Sequence, residues 1–145
     1  MITIFYFLLK PASVFMNDLT LFFLRIGIGI IIMIHGYPKI MGGPQMWRYL
    51  GTTFMTPLHI HFLPMMWGFF AASAQFFGGI ALIIGLDTRF AALTLLFSMC
   101  VAVHWHIHNK DDFTKYAYAL TLIFIYSAFT IIGAGPFSID YLLAQ

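Results

Sequence analysis

Charge divides this chain into long stretches that carry none. Residues 26–38, 49–86, 90–109 and 116–139 contain no Asp, Glu, Lys or Arg. A helix crosses a bilayer with ~20 mostly apolar residues. In hydrocarbon the backbone must satisfy its own hydrogen bonds, which leaves helices or closed barrels. The apolar runs are continuous rather than alternating, so they read as helices. Composition agrees. Hydrophobic residues make up 61% of the chain and charged residues 8%, against about 25% charged in a soluble domain. Too little charge remains to cover a water-facing surface, and disorder needs the opposite balance. A net charge of +2 gives no basis for nucleic-acid binding. The single cysteine excludes an internal disulfide or a C-x-x-C redox pair.

The pattern predicts an all-α, four-helix transmembrane bundle with helices near 19–40, 64–85, 89–106 and 115–134. Residues 1–18 read as an interfacial N-terminal segment, interrupted by Lys10-Pro11, and 19–145 as the membrane domain. Lys10 lies too late for a signal peptide, and no small-residue cleavage site follows. The connection between the first two helices has room for a short interfacial helix around Met46–Leu50. Gly85-Leu86-Asp87-Thr88-Arg89 makes a tight turn, so the second and third helices are antiparallel neighbours. Gly133-Ala134-Gly135-Pro136 ends the fourth, and Ser138 caps a last turn over Ile139–Leu143.

Lys10, Arg25 and Arg89 mark one end of the bundle, and Lys39, Arg48, Lys110 and Lys115 the other. That balance gives no orientation by the positive-inside rule. Trp47, Trp67 and Trp105, with Tyr37, Tyr49 and Tyr116, form a candidate aromatic belt at the second end.

Ionisable and amide side chains inside membrane helices are expensive, and each needs a partner. Arg25 is expected to clamp Asp140 or Asp87, with snorkelling as the alternative; Asp87, Arg89 and Asp140 are grouped with it as structural polar residues. Gly29, Ile32, Gly36 and Lys39 fall within roughly 40° of Arg25 on the helix, and His35 lies at the edge of that stripe. His35 and Lys39, at i and i+4, address one site; the plain alternative has His35 donating to a carbonyl while Lys39 snorkels. Gln75 shares a face with Ala71, Gly78 and Gly79, an interface face, and is expected to make an interhelical hydrogen bond.

Five of the six histidines fall in two tracts, His59-x-His61 and His104-x-His106-x-His108. Imidazole is the commonest metal-binding side chain, so either tract is a candidate copper or zinc site. The plain alternative is interfacial histidines bound to headgroups, water or carbonyls. Cys100, one turn below His104, reads as a small buried hydrophobe. No P-loop, GxGxxG, nucleophile elbow or carboxylate pair is present.

Several stretches taken together resemble the DoxX family of small four-helix membrane proteins. They are RIGIGIIIMIHGYPKIMGG (Arg25, His35, Gly36, Lys39), AASAQFFGGIALIIGLDTRFAAL (Gly78, Gly79, Gly85, Leu86, Thr88, Arg89, Ala91, Ala92) and GAGPFSIDYLL (Gly133, Gly135, Pro136, Ser138, Asp140). The resemblance spans about residues 19–143. It implies a bacterial inner-membrane protein with both termini cytoplasmic and the histidine end in the periplasm. It also implies redox work, since members serve as the membrane part of a thiosulfate:quinone oxidoreductase or join complexes handling oxidative stress, while others accompany copper-responsive systems. Gln75 stands where the family commonly has an acidic residue, and the acid common at the start of the fourth helix is replaced around Lys115.

The function expected is docking of a quinone or a redox protein partner at the outer half of the bundle. His35 and Lys39 would hold the quinone oxygen and Gln75 would line the cavity. Whether the chain is itself part of an oxidoreductase stays open, as does a homo-oligomer. The competing readings are metal handling by His59, His61, His104, His106 and His108, and a non-catalytic membrane scaffold.

Overall fold

The computed structural model describes residues 2–144, with side chains described at 14 and 16–144. The elements run α1 (Ile2–Met41), α2 (Gly43–Met55), a 3-10 turn (Thr56–Leu58), α3 (Pro64–Ile84), α4 (Thr88–His108), α5 (Phe113–Ile132) and α6 (Ile139–Leu143). There is no strand among the described residues. Four segments are long and apolar enough to cross a membrane: Met16–Met41, Pro64–Ile84, Thr88–His108 and Phe113–Ile132. The expected helices correspond to these, with one difference. α1 starts far earlier than residue 19, because its backbone continues as helix through Lys10 and Pro11. The interfacial reading of 1–18 falls mostly on residues 1–13 and 15, whose side chains lie outside the described ones.

The expected short helix around Met46–Leu50 is longer, 13 residues over Gly43–Met55. It buries Leu50, Gly51 and Met55 and leaves Arg48 and Tyr49 exposed. α2 reaches α3 backbone to backbone: a Cβ on Gly51 would overlap the Pro64 carbonyl, and one on Gly68 the Trp47 carbonyl. Only glycine at both positions permits that approach. α1 also lies close on α3. A Cβ on Gly36 would meet the Gln75 and Phe76 backbone, and one on Gly79 the Met33 backbone.

The core joins α1, α3, α4 and α5 through Ile32, Leu82, Leu95, Leu122, Tyr126 and Phe129, all nearly inaccessible. Around it the surface is apolar: Ile131 is 76% exposed, Phe124 70% and Phe90 62%. In water such a surface would aggregate; in a bilayer it meets acyl chains of its own polarity.

The end holding the α3–α4 turn is tied to the C-terminal tail. Arg25 is 1% exposed, but its expected carboxylate clamp is not what forms. Its guanidinium donates to the Ala134 carbonyl (Nη1, 2.6 Å) and the Phe137 carbonyl (Nη2, 2.5 Å). Asp140 is engaged elsewhere, accepting from the backbone N–H groups of Asp87 (2.6 Å) and Thr88 (2.9 Å) at the start of α4. The reason is backbone accounting. Past Gly133 the tail leaves the helix and its carbonyls lack helical partners, which a forked donor satisfies; the first N–H groups of α4 are equally orphaned, and a carboxylate suits them. Ser138 caps α6 as expected, accepting from the Tyr141 N–H (3.2 Å).

Candidate functional site

Gln75 lies on α3 eleven residues before Leu86, and Ser98 lies on α4 eleven residues after Asp87. The tight turn between those helices therefore brings the two side chains level. Gln75 is 5% exposed. Its Nε2 donates to Ser98 Oγ (3.1 Å), and its Oε1 accepts from Lys39 Nζ (2.7 Å). The expected interhelical bond of Gln75 is present and is double, joining α1, α3 and α4. In a medium without water an amide needs partners on both its donor and its acceptor, and here it has them.

α2 closes this chain from above. Trp47 Nε1 donates to the Lys39 carbonyl (3.1 Å), and the Trp47 ring meets Phe69 edge-on at 4.8 Å. His35 does not bond Lys39. Its ring is tilted toward Tyr118 of α5 at 5.9 Å between centroids. His35, Lys39, Gln75, Ser98 and Tyr118 all line one groove of about 1250 Å³ between α3 and α4. Below them its walls are mainly apolar, interrupted by Thr94 and Asp87, and continue down to Leu86 and Phe90. Phe77, Phe97 and Cys100 form part of that wall and are exposed on the lipid side. Cys100 is thus not the buried residue expected, because its position on α4 falls at the open face of the groove.

The groove collects hydrogen-bond donors. Lys39 offers three and spends one on Gln75. Ser98 accepts from Gln75 and keeps its own O–H. Ser73 Oγ, also in the lining, is buried with no partner. Ser98 and Tyr118 escaped the sequence reading. The signal for Ser98 was its mirror position to Gln75 about the turn; nothing in the sequence marked Tyr118 apart from the other tyrosines.

The histidine tracts lie near one another but do not assemble a ligand set among the described residues. His59 takes a left-handed conformation (φ 58°) to end the 3-10 turn, and His61 is exposed in the loop after it. His104 and His108 are exposed on α4. His106 Nδ1 bonds Asp111 Oδ2 (2.9 Å), and Asp111 Oδ1 accepts from Lys115 (2.7 Å). Lys115 and His106 together hold the Asp111 carboxyl below its ordinary value. Among the described residues no three His, Cys or Asp side chains stand together in a way that could hold a metal ion. The aromatic residues of the end opposite the α3–α4 turn pack on one another: Trp105 on Phe54 at 5.3 Å and Trp67 on Phe62 at 6.0 Å.

The sequence model of the DoxX family matches residues 20–109. The chain belongs to the DoxX family. It is a membrane protein of four apolar helices. The matched stretch of this DoxX chain contains Arg25, His35, Lys39, Gln75 and Ser98, but not Tyr118 or the Asp140 latch. No curated protein and no solved structure matches the chain.

Proposed function

We propose that this DoxX chain is the membrane-embedded docking subunit of a redox system and seats a quinone head in the outer half of the α3–α4 groove. The observation that carries the reading is the Lys39–Gln75–Ser98 chain lining an apolar groove that reaches the lipid-facing surface. A quinone has an apolar tail and two carbonyl oxygens, which need donors. The unused N–H groups of Lys39 and the O–H of Ser98 are such donors, and apolar walls with a few convergent polar groups are what a small-molecule site requires.

His35, beside Lys39 on the groove wall, is suited to pass protons near neutral pH. Reduction of a quinone takes two electrons and two protons. No described residue carries electrons, so they come from a redox protein partner docked at the outer end. In this reading the chain sits in a bacterial inner membrane with both termini cytoplasmic, as the family resemblance implies.

The test is titration of a short-chain quinone into the purified full-length protein, followed through tryptophan fluorescence. Binding is expected, and His35→Ala or Ser98→Ala should weaken it by about tenfold, the equivalent of ~1.4 kcal/mol. Absence of binding, or binding by both variants as tight as by the parent protein, refutes the proposal.

A further inference from the structure

The quinone reading explains the donors in the groove but leaves the charge of Lys39 unbalanced. No carboxylate pairs with this ammonium among the described residues; its polar partner is the neutral amide of Gln75. Asp111, the half-buried carboxylate at the same end, is already taken by His106 and Lys115. At the opposite end the Asp140 carboxylate accepts from the N–H groups of Asp87 and Thr88, and Asp87 stands at that same end, eleven residues from Ser98 along α4. Lys39 stands one half-turn before the end of α1, and its ammonium is turned into the bundle rather than outward. Its bond to Gln75 places the ammonium level with Ser98, ten residues short of the end of α4 at His108, roughly 15 Å at 1.5 Å per residue. A lone charge at such depth is costly unless it meets a counter-charge.

From that deficit we infer that the groove takes a long-chain carboxylate, a free fatty-acid anion, with its head on Lys39 and Ser98 and its chain along the α3–α4 walls. The inference rests on the same site as the proposed function but on a separate observation, charge complementarity. A carboxylate is an acceptor-only group with several lone pairs. It meets the two unused N–H groups of Lys39 and the Ser98 hydroxyl without competing for the bond Gln75 already makes. The remaining lining suits a hydrocarbon chain: from Gln75 to Leu86 the α3 wall runs roughly 16 Å past Phe77, Gly78 and Ala81. The volume, about 1250 Å³, exceeds what a head group alone needs; ligand pockets commonly fall at roughly 300–1,000 Å³. Depth selects the source of the anion. A phospholipid phosphate stays at the interface, whereas a single-chain acid has a head small enough to pass under α2, which Trp47 fastens over Lys39.

The experiment uses the full-length protein in nanodiscs of zwitterionic phospholipid, with radiolabelled palmitate as probe. Unlabelled palmitate, methyl palmitate, hexadecanol and phosphatidylglycerol compete in separate arms, and a short-chain quinone is titrated independently. Palmitate is expected to displace the probe at least about tenfold better than its uncharged ester or alcohol, as a charge-assisted bond demands. Lys39→Arg should keep that preference and Lys39→Gln should abolish it. Equal displacement by the ester, or by phosphatidylglycerol, overturns the inference, and this comparison needs no variant to fold. Quinone binding without palmitate binding sinks the inference and leaves the docking proposal standing. Palmitate binding without quinone binding does the reverse.

Discussion

Single residues at the turn end decide whether the bundle closes. Arg25 spends its guanidinium on two main-chain carbonyls, a task only a forked donor performs at that reach. Arg25→Met leaves both acceptors without a partner and is expected to cost about 1–3 kcal/mol, read as a lower melting temperature of the detergent-solubilised protein. Arg25→Lys should fall between, since an ammonium cannot span both carbonyls with the same geometry. Gly85 sits beside this contact at φ 70°, where a Cβ would run into the guanidinium and Ser138. Arg25 also shows how far a sequence reading goes. Its need for a partner followed from hydropathy alone. The partner itself did not, because unsatisfied backbone carbonyls leave no mark in composition and two aspartates of the same end invited a salt bridge.

At the scale of elements, α2 is held to α3 by the absence of side chains at Gly51 and Gly68. Gly68→Ala must push the helices apart, and overpacking of this kind costs about 1–3 kcal/mol. Trp47 should then lose its bond to the Lys39 carbonyl, so the expected outcome is red-shifted tryptophan emission together with reduced ligand binding. At the α4–α5 turn, Asp111 ties His106 to Lys115. Its carboxyl titrates lower in the folded protein than in the unfolded chain, where Asp has a pKa near ~3.9. That contribution is therefore complete above about pH 4 to 5 and is lost as the pH falls through the folded value. Amide exchange across residues 106–116 should be faster in Asp111→Asn than in the parent at pH 7, and the two should converge below pH 4.

For the whole molecule, four crossings put the α3–α4 turn and the C-terminal tail on one side and the α4–α5 turn on the other. Single cysteines placed in a Cys100→Ala background test this. With the histidine end outside, Asn109→Cys should react with a membrane-impermeant maleimide in intact cells and Arg89→Cys only after permeabilisation. The opposite labelling pattern would invert the proposed orientation and leave the bundle itself untouched. The same opposition of ends accounts for the difference between the latch, where Arg25 and Asp140 serve the backbone, and the groove, where Lys39 and Ser98 retain donors that no described residue takes up.

The bilayer as solvent, the number of crossings and their approximate limits were legible in residue order, because the insertion energy of a helix depends on its own composition. So were the capped last turn at Ser138 and the interface face of Gln75, which are local patterns. Three-dimensional packing alone paired Lys39 with Gln75, turned His35 toward Tyr118, exposed Cys100 and gave the histidine tracts no three-ligand group among the described residues. Those outcomes depend on how closely glycines let α1 and α2 approach α3 and on where α4 and α5 pack against them, and such distances are set by several helices at once.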